Sequence, residues 1–232
     1  MLPVVILAGG RGTRIHPLTE NLPKSLVTIL GKPFLGWQLD LLQQNGISEV
    51  TICVSHKSDL IENYVGSNLG RKIKINLIED GDSQLGPGGA IVGALDALGE
   101  KFAVLYGDSY LPFGIQEATE FFLKNQPLSL MTVTKAENVG SNGNVDYGNN
   151  VVTQYRKGAT SPSMQYVDYG LNFFHKEVFK DFKKNTNIDL SDIQSLLAET
   201  RQLSGFEVEN RFYEIGSFQG IKDLAEYLKG VN

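Results

Sequence analysis

The chain has 232 residues and a formal net charge of −5, with 41% hydrophobic and 20% charged residues. That balance fits a globular protein with a sizeable core and argues against broad nucleic-acid binding, which needs a basic face. The one cysteine, Cys53, excludes an intramolecular disulfide, and no Cys/His spacing suggests a zinc cluster or a Cys–His nucleophile.

Leu2 to Ala8 is an apolar run. It lacks a basic leader and turns polar by Arg11, so it reads as a buried first strand, not a signal peptide. No run reaches bilayer-spanning length, and the expectation is a cytoplasmic protein without a membrane partner. Pro33 to Asn45 reads as a helix, with Leu35, Leu39 and Leu42 on one face and Gly46 at its end. Glu49 to Val54 is a second strand. It carries Cys53, which reads as a small core residue. Ser58 to Val65 is a short helix that Ser55 or Ser58 caps. Lys72 to Ile78 is a third strand and Gly88 to Leu98 a helix. Phe102 to Tyr106 is a fourth strand ending in Gly107-Asp108, followed by a helix over Gly114 to Lys124 and a strand over Leu128 to Thr134.

This βαβα order predicts a mostly parallel sheet with helices on both faces. Ligands of such sheets sit outside the carboxyl ends of the strands, which places Ala8-Gly9-Gly10 and Gly107-Asp108 on one rim. The second half changes character. NGNVDYGNNVVTQYRK reads as a hairpin with Tyr147 to Asn150 as its turn. Met164 to Phe174 is a strand, Ser191 to Thr200 a helix, Glu207 to Ile215 a strand and Phe218 to Lys229 a closing helix.

The loop after the first strand, RGTRIHPLTENLPKS, holds two arginines, two prolines and one lysine. A dinucleotide fingerprint needs a third glycine, and here Thr13-Arg14-Ile15 follows Gly12. A Walker loop fails too, because Pro23 precedes Lys24-Ser25. The residues suit a triphosphate cradle. Glycines admit backbone N–H groups close to anionic oxygens, Arg14 offers forked donors and Lys24 a point charge.

LAGGRGTRIHPLTENLPKSLV resembles the signature LAGGxGTRLxPLTxxxPKxxxP of the sugar-1-phosphate nucleotidyltransferases. Further segments follow in that family's order. LGPGGAI is similar to LGTGGAI, VLYGDSYL to its metal-binding GD segment and QYRKG to its EKP segment. YVDYGLNFF is similar to its NAGIY segment and RFYEIGSFQGI to its WxDIGTPE segment. The short length and the GPGGAI segment look most like heptose- or mannose-type guanylyltransferases. The resemblance implies a Rossmann-like α/β fold: a mostly parallel sheet with helices on both faces, plus a small β-rich sugar-binding lid lobe. It implies one domain over 1–232, with 1–126 mainly binding nucleotide and 127–232 mainly binding sugar phosphate. The implied partners are an NTP and a sugar 1-phosphate, and a homo-oligomer stays open.

The implied reaction is an in-line attack of the sugar phosphate on the α-phosphorus, with pyrophosphate leaving. The implied catalytic residues are Arg14, Lys24 and Asp108. Leu7, Ala8, Gly9, Gly10, Gly12, Thr13, Arg14, Glu79, Gly86 and Gly88 would bind the nucleotide. Lys24, Gly143, Lys157, Asp168 and Gly170 would bind the sugar phosphate. Asp108 and Glu214 would hold Mg²⁺, a hard cation that prefers carboxylate and phosphate oxygens. Several positions depart from the pattern: Glu214 replaces an aspartate, Arg156 the EKP glutamate, Gly158 its proline and Pro87 a threonine. Glu79 lies near the expected base site, and a carboxylate there could accept from guanine N1–H and N2–H. The base expected is guanine, with uridylyl and cytidylyl transfer left open, and two alternative functions also stay open: a nucleotide-sugar-binding homologue with weakened catalysis, and a metal-dependent glycosyltransferase. The second lacks its usual DxD pair, since Gly-Asp-Ser stands here.

Overall fold

In strand β1 (Val4–Leu7) successive side chains leave on opposite faces. Val4 and Ile6 join one core cluster, and Val5 joins another. That alternation forces two layers of helices onto one sheet. The computed structural model describes residues 1–67, 70–80, 85–158 and 161–231. After β1 come β2 (Thr28–Ile29), β3 (Lys32–Pro33), α1 (Phe34–Gln44), β4 (Glu49–Val54), α2 (Ser58–Gly66) and β5 (Lys74–Glu79). Next are α3 (Gly86–Ala94), β6 (Lys101–Tyr106), β7 (Ser109–Tyr110), α4 (Ile115–Asn125) and β8 (Ser129–Lys135). The chain continues through β9 (Val145–Gly148), β10 (Val151–Tyr155), β11 (Tyr166–His175), α5 (Leu190–Glu199), β12 (Leu203–Glu207), β13 (Tyr213–Glu214) and α6 (Phe218–Val231).

The main sheet runs β5-β4-β1-β6-β11-β8-β12-β10-β9. Its first four strands are all parallel, as the βαβα pattern predicts. Leu35 and Leu39 of α1, Ile61 of α2 and Phe122 of α4 pack on one face. Ile91 of α3 and Ile193 and Leu197 of α5 pack on the other. From β1 the chain moves outward to β4 and β5, then returns to β6 on the other side of β1. The crevice at such a reversal is where open α/β sheets bind ligands.

The second half is mixed. β11 lies antiparallel between β6 and β8, while β12 runs parallel to β8. The β9–β10 hairpin turns through Asn149 and Asn150, both at positive φ (52° and 60°), as a twist-matched two-residue turn requires. β9 also meets the start of β11 at Val145–Tyr166, so this edge curls back on itself. The β-rich lobe is thus an extension of the sheet. α6 packs outside it, where Leu224 and Leu228 cover Ile29, Phe34, Tyr110 and Ile215. No helix among the described residues is long and apolar enough to cross a membrane.

Three expectations change. Neither Ser55 nor Ser58 caps α2, whose N-cap is Lys57 at φ 57°. The Ser55 hydroxyl donates to the Gly9 carbonyl at 3.0 Å and that of Ser58 to Glu79 at 2.6 Å. Of the strand expected over Glu207 to Ile215, only Glu207, the end of β12, and Tyr213–Glu214 of β13 are strand; the polar stretch Glu209-Asn210-Arg211 lies outside the sheet, and β12 falls mostly before the expected range. The helix expected to reach Leu98 stops at Ala94 and closes in a 3₁₀ turn over Leu95–Ala97.

At the reversal, Gly107 N–H donates to the Leu7 carbonyl at 3.1 Å. A methyl at 107 would overlap that carbonyl and lie 2.9 Å from Ala8 Cα. Gly107→Ala is expected to cost roughly 1–3 kcal/mol by overpacking. Gly148→Ala, whose methyl meets nothing within 4 Å, should change stability by less than about 0.5 kcal/mol. Denaturant unfolding of both variants checks the contrast.

Candidate active site

The carboxyl ends of β1, β4, β5 and β6 and the first turns of α3 and α5 surround a cleft of about 570 Å³, a volume typical of small-molecule sites. Leu7, Ala8, Gly9 and Gly10 form one wall, Gly86 and Pro87 another, and Gly107 and Asp108 the floor between them. The two strand ends expected on one rim do meet there.

Lys24 is only 8% exposed. Pro23 delivers it into a short 3₁₀ turn over Lys24–Leu26, and its Nζ lies 2.7 Å from Asp108 Oδ2. Gly12, at φ 65°, lets the loop fold back so closely that a methyl there would lie 3.1 Å from Lys24 Cβ. The Thr19 hydroxyl fixes this turn by donating to the Gly12 carbonyl at 2.9 Å. Glu214 comes from the far end of the chain. Its strand β13 pairs with β7, Glu214 opposite Ser109, and Ile215 N–H donates to the Asp108 carbonyl at 3.0 Å. A methyl on Gly216 would fall 2.5 Å from Glu214 Oε2, 2.7 Å from Arg14 Nη2 and 3.1 Å from Lys24 Nζ. Arg14, Lys24, Asp108 and Glu214 therefore form one charged group, of which Lys24 and Asp108 line the cleft while Arg14 and Glu214 stand next to them outside its lining. The oxygens of Glu214 are held by Gly216 N–H and the Ser217 hydroxyl.

Across the cleft, Lys157 pairs with Asp189 at 2.9 Å. Asp189 also caps α5, accepting from Ser191 N–H at 3.0 Å. Burial works against its charge, but the Ser191 N–H and Lys157 outweigh it and hold the carboxyl below its usual range. Asp168 does not line the cleft. It accepts from the Tyr106 hydroxyl at 2.8 Å and from Gly170 N–H at 2.9 Å, and burial raises its pKa. Tyr106 stands in the cleft wall, so Asp168 sits one residue behind the lining, bonded to that ring's hydroxyl.

Other expected residues lie outside the cleft lining. Gly12 and Thr13 sit along the outer loop. Gly88 packs on α5's approach, where its N–H donates to the Ile188 carbonyl at 2.9 Å. Gly143 is a packing glycine, since a methyl there would overlap the Met164 carbonyl. Gly170, at φ 106°, allows a bend where the β11–β8 register shifts. Glu79 is exposed and bonded to Ser58, while its neighbour Asp80 lines the cleft. Strand alternation holds the signal that was missed. Leu77 packs with the α1 and α2 face and Ile78 with the α3 face, so Asp80, two residues after Ile78, faces α3. Ser25 was also missed: it lines the cleft, and its buried hydroxyl has no partner among the described residues.

The model of the nucleotidyl transferase family matches residues 3–229. The chain belongs to that family. Its fold is similar to that of HddC from Yersinia pseudotuberculosis, solved in complex with GMP-PN, with TM-score 0.84 and 26% identity over 98% of this chain and 100% of that one. Mannose-1-phosphate guanylyltransferase catalytic subunit beta of Xenopus tropicalis is 28% identical over 99% of this chain and 66% of its own length. Bifunctional protein GlmU of Methanococcus maripaludis is 28% identical over 93% of this chain and 51% of its own. The chain thus spans about half to two thirds of the length of these curated relatives.

Within this nucleotidyl transferase fold, burial pushes the Asp80 carboxyl up to about 6 from an ordinary 3.8. A carboxyl raised on folding costs stability once it ionises, so the cost grows between those two values and is complete above the upper one. Asp80→Asn should therefore melt about 2 °C or more above wild type at neutral pH, a figure reduced for its partial exposure. The difference should vanish at pH values below 3.8. Melting curves across pH check this.

Proposed function

We propose that this chain is a cytoplasmic enzyme that transfers a nucleotidyl group from an NTP to a sugar 1-phosphate. The products are an NDP-sugar, for surface polysaccharide or glycoconjugate synthesis, and pyrophosphate. The observation that carries this reading is the meeting of Arg14, Lys24, Asp108 and Glu214 beside a glycine-walled cleft. Two cations beside two carboxylates suit an anionic transition state whose catalysis is positioning and charge neutralisation. Lys24 would bridge the α-phosphate and the incoming phosphate, and Arg14 would neutralise the departing pyrophosphate. Lys157, released from Asp189, would grip the sugar phosphate. In this reading 1–126 supplies mainly the nucleotide contacts and 127–232 mainly those to the sugar phosphate.

Asp108 and Glu214 would hold Mg²⁺. Both would offer carboxylate oxygens, the hard donors such an ion prefers; among the described residues they belong to no cluster of three or more metal-binding side chains. Such an ion supplies charge stabilisation on the phosphates. For the nucleotide, GTP is the preferred reading, supported by the guanylyltransferase relative and by the HddC complex with GMP-PN. A heptose or mannose 1-phosphate is the sugar class to try first.

Incubating the protein with Mg²⁺, each NTP and a panel of sugar phosphates should release pyrophosphate with GTP. Silence across a panel holding heptose and mannose phosphates overturns the reading. Lys24→Ala should lower kcat by about 10²–10³-fold, the scale for losing one charge-stabilising donor. One contact favours a second reading, a nucleotide-sugar-binding homologue with weakened catalysis: Gly216 N–H and the Ser217 hydroxyl already hold the Glu214 oxygens. It predicts nucleotide binding without pyrophosphate release.

A further inference from the structure

We infer that Asp80 selects the base: its two carboxylate oxygens accept N1–H and N2–H of guanine, which makes the cleft a reader of guanine nucleotides. This rests on the nucleotidyl-transfer reading above. Asp80 follows β5 directly, and its N–H donates to the Val54 carbonyl at 2.9 Å, which carries the strand's alternation one residue past Glu79. Its carboxylate lies beside the glycine loop, since a methyl on Gly9 would sit 3.7 Å from Asp80 Oδ2. The cleft lining there combines the apolar Cys53, Leu85, Pro87 and Ala90 with the Ser55 hydroxyl, which is committed to the Gly9 carbonyl at 3.0 Å.

The three aspartates of the cleft are not alike. Asp108 and Asp189 are each paired with a lysine. Asp80 has neither a hydrogen-bond nor an ion-pair partner for its side chain among the described residues. A half-buried carboxylate without a partner is unfavourable, and its raised pKa records that burial. A ligand that brings N–H donors removes the penalty, which is a common signature of a functional carboxylate in a cleft.

The chemistry of the acceptor decides among bases. An ionised carboxylate offers two adjacent acceptors and no donor. Guanine presents two adjacent donors on one edge. Uracil and thymine present one N–H between two carbonyl oxygens, which a carboxylate repels. Cytosine and adenine place their amino group beside a lone-pair nitrogen. Pro87 adds to this selection, because a proline has no N–H to donate to a pyrimidine carbonyl.

The test is titration of Mg²⁺ complexes of GTP, ITP, XTP and UTP into the whole chain, wild type and Asp80→Asn. ITP lacks the N2 amine, so wild type should bind GTP about tenfold or more tighter than ITP, the scale for one hydrogen bond to a charged group. Asp80→Asn pairs one acceptor with one donor, which complements the N1–H and O2 of xanthine. It should weaken GTP by about tenfold or more and tighten XTP. Equal wild-type affinity for GTP and ITP overturns the inference, as does UTP binding as tight as GTP. An unchanged GTP-to-XTP ratio in a folded Asp80→Asn also overturns it. In each of those cases pyrophosphate release with another NTP leaves nucleotidyl transfer standing. Failure of every nucleotide to bind removes both readings. The wild-type GTP and ITP comparison decides the matter even if the variant does not fold.

Discussion

Burying a lysine ammonium is costly unless a carboxylate meets it. Lys24 is met by Asp108 at 2.7 Å, and much of the cleft follows from that pair. For Lys24 to reach Asp108, the loop after β1 must double back, which the left-handed Gly12 and the Thr19 bond permit. For Asp108 to wait at that point, β6 must end level with β1, which the close passage of Gly107 over the Leu7 carbonyl fixes. The two-residue ribbon of β7 and β13 then sets Glu214 beside the pair.

The repeating physical signals were the legible ones. Alternating strands and amphipathic helices in the first half gave the parallel sheet and its two helical layers, because burial on both faces leaves long apolar runs. The glycine loop pointed to Lys24 and Arg14, since the cations follow a strand whose end must lie at the sheet's rim; Lys24 lines the cleft there, and Arg14 lies outside its lining. The second half is less legible. β12, with Ser204 and Gly205, carries a weak strand pattern. Gly205 lies against the Tyr147 ring, a long-range contact that no local pattern encodes.

Single-residue errors have the same origin. Glu79 ends β5 and Asp80 follows it directly, and that one step changes the face of the sheet. Composition favours neither carboxylate, so only the faces taken by Leu77 and Ile78 separate them. Gly143 matched a motif position, yet its contact is the Met164 carbonyl, a packing demand that looks like function in a sequence. Asp168 matched a sugar-contact position and stands behind Tyr106.

The ribbon of β7 and β13 has a consequence for the order of events on the ribosome. The four parallel strands β1, β4, β5 and β6 all lie within residues 4–106, so their ladders are available early in synthesis. Glu214 and Gly216 come from a segment made well after Asp108. The nascent protein therefore carries Arg14, Lys24 and Asp108 before Glu214 exists, and the charge group is closed only when that later segment arrives.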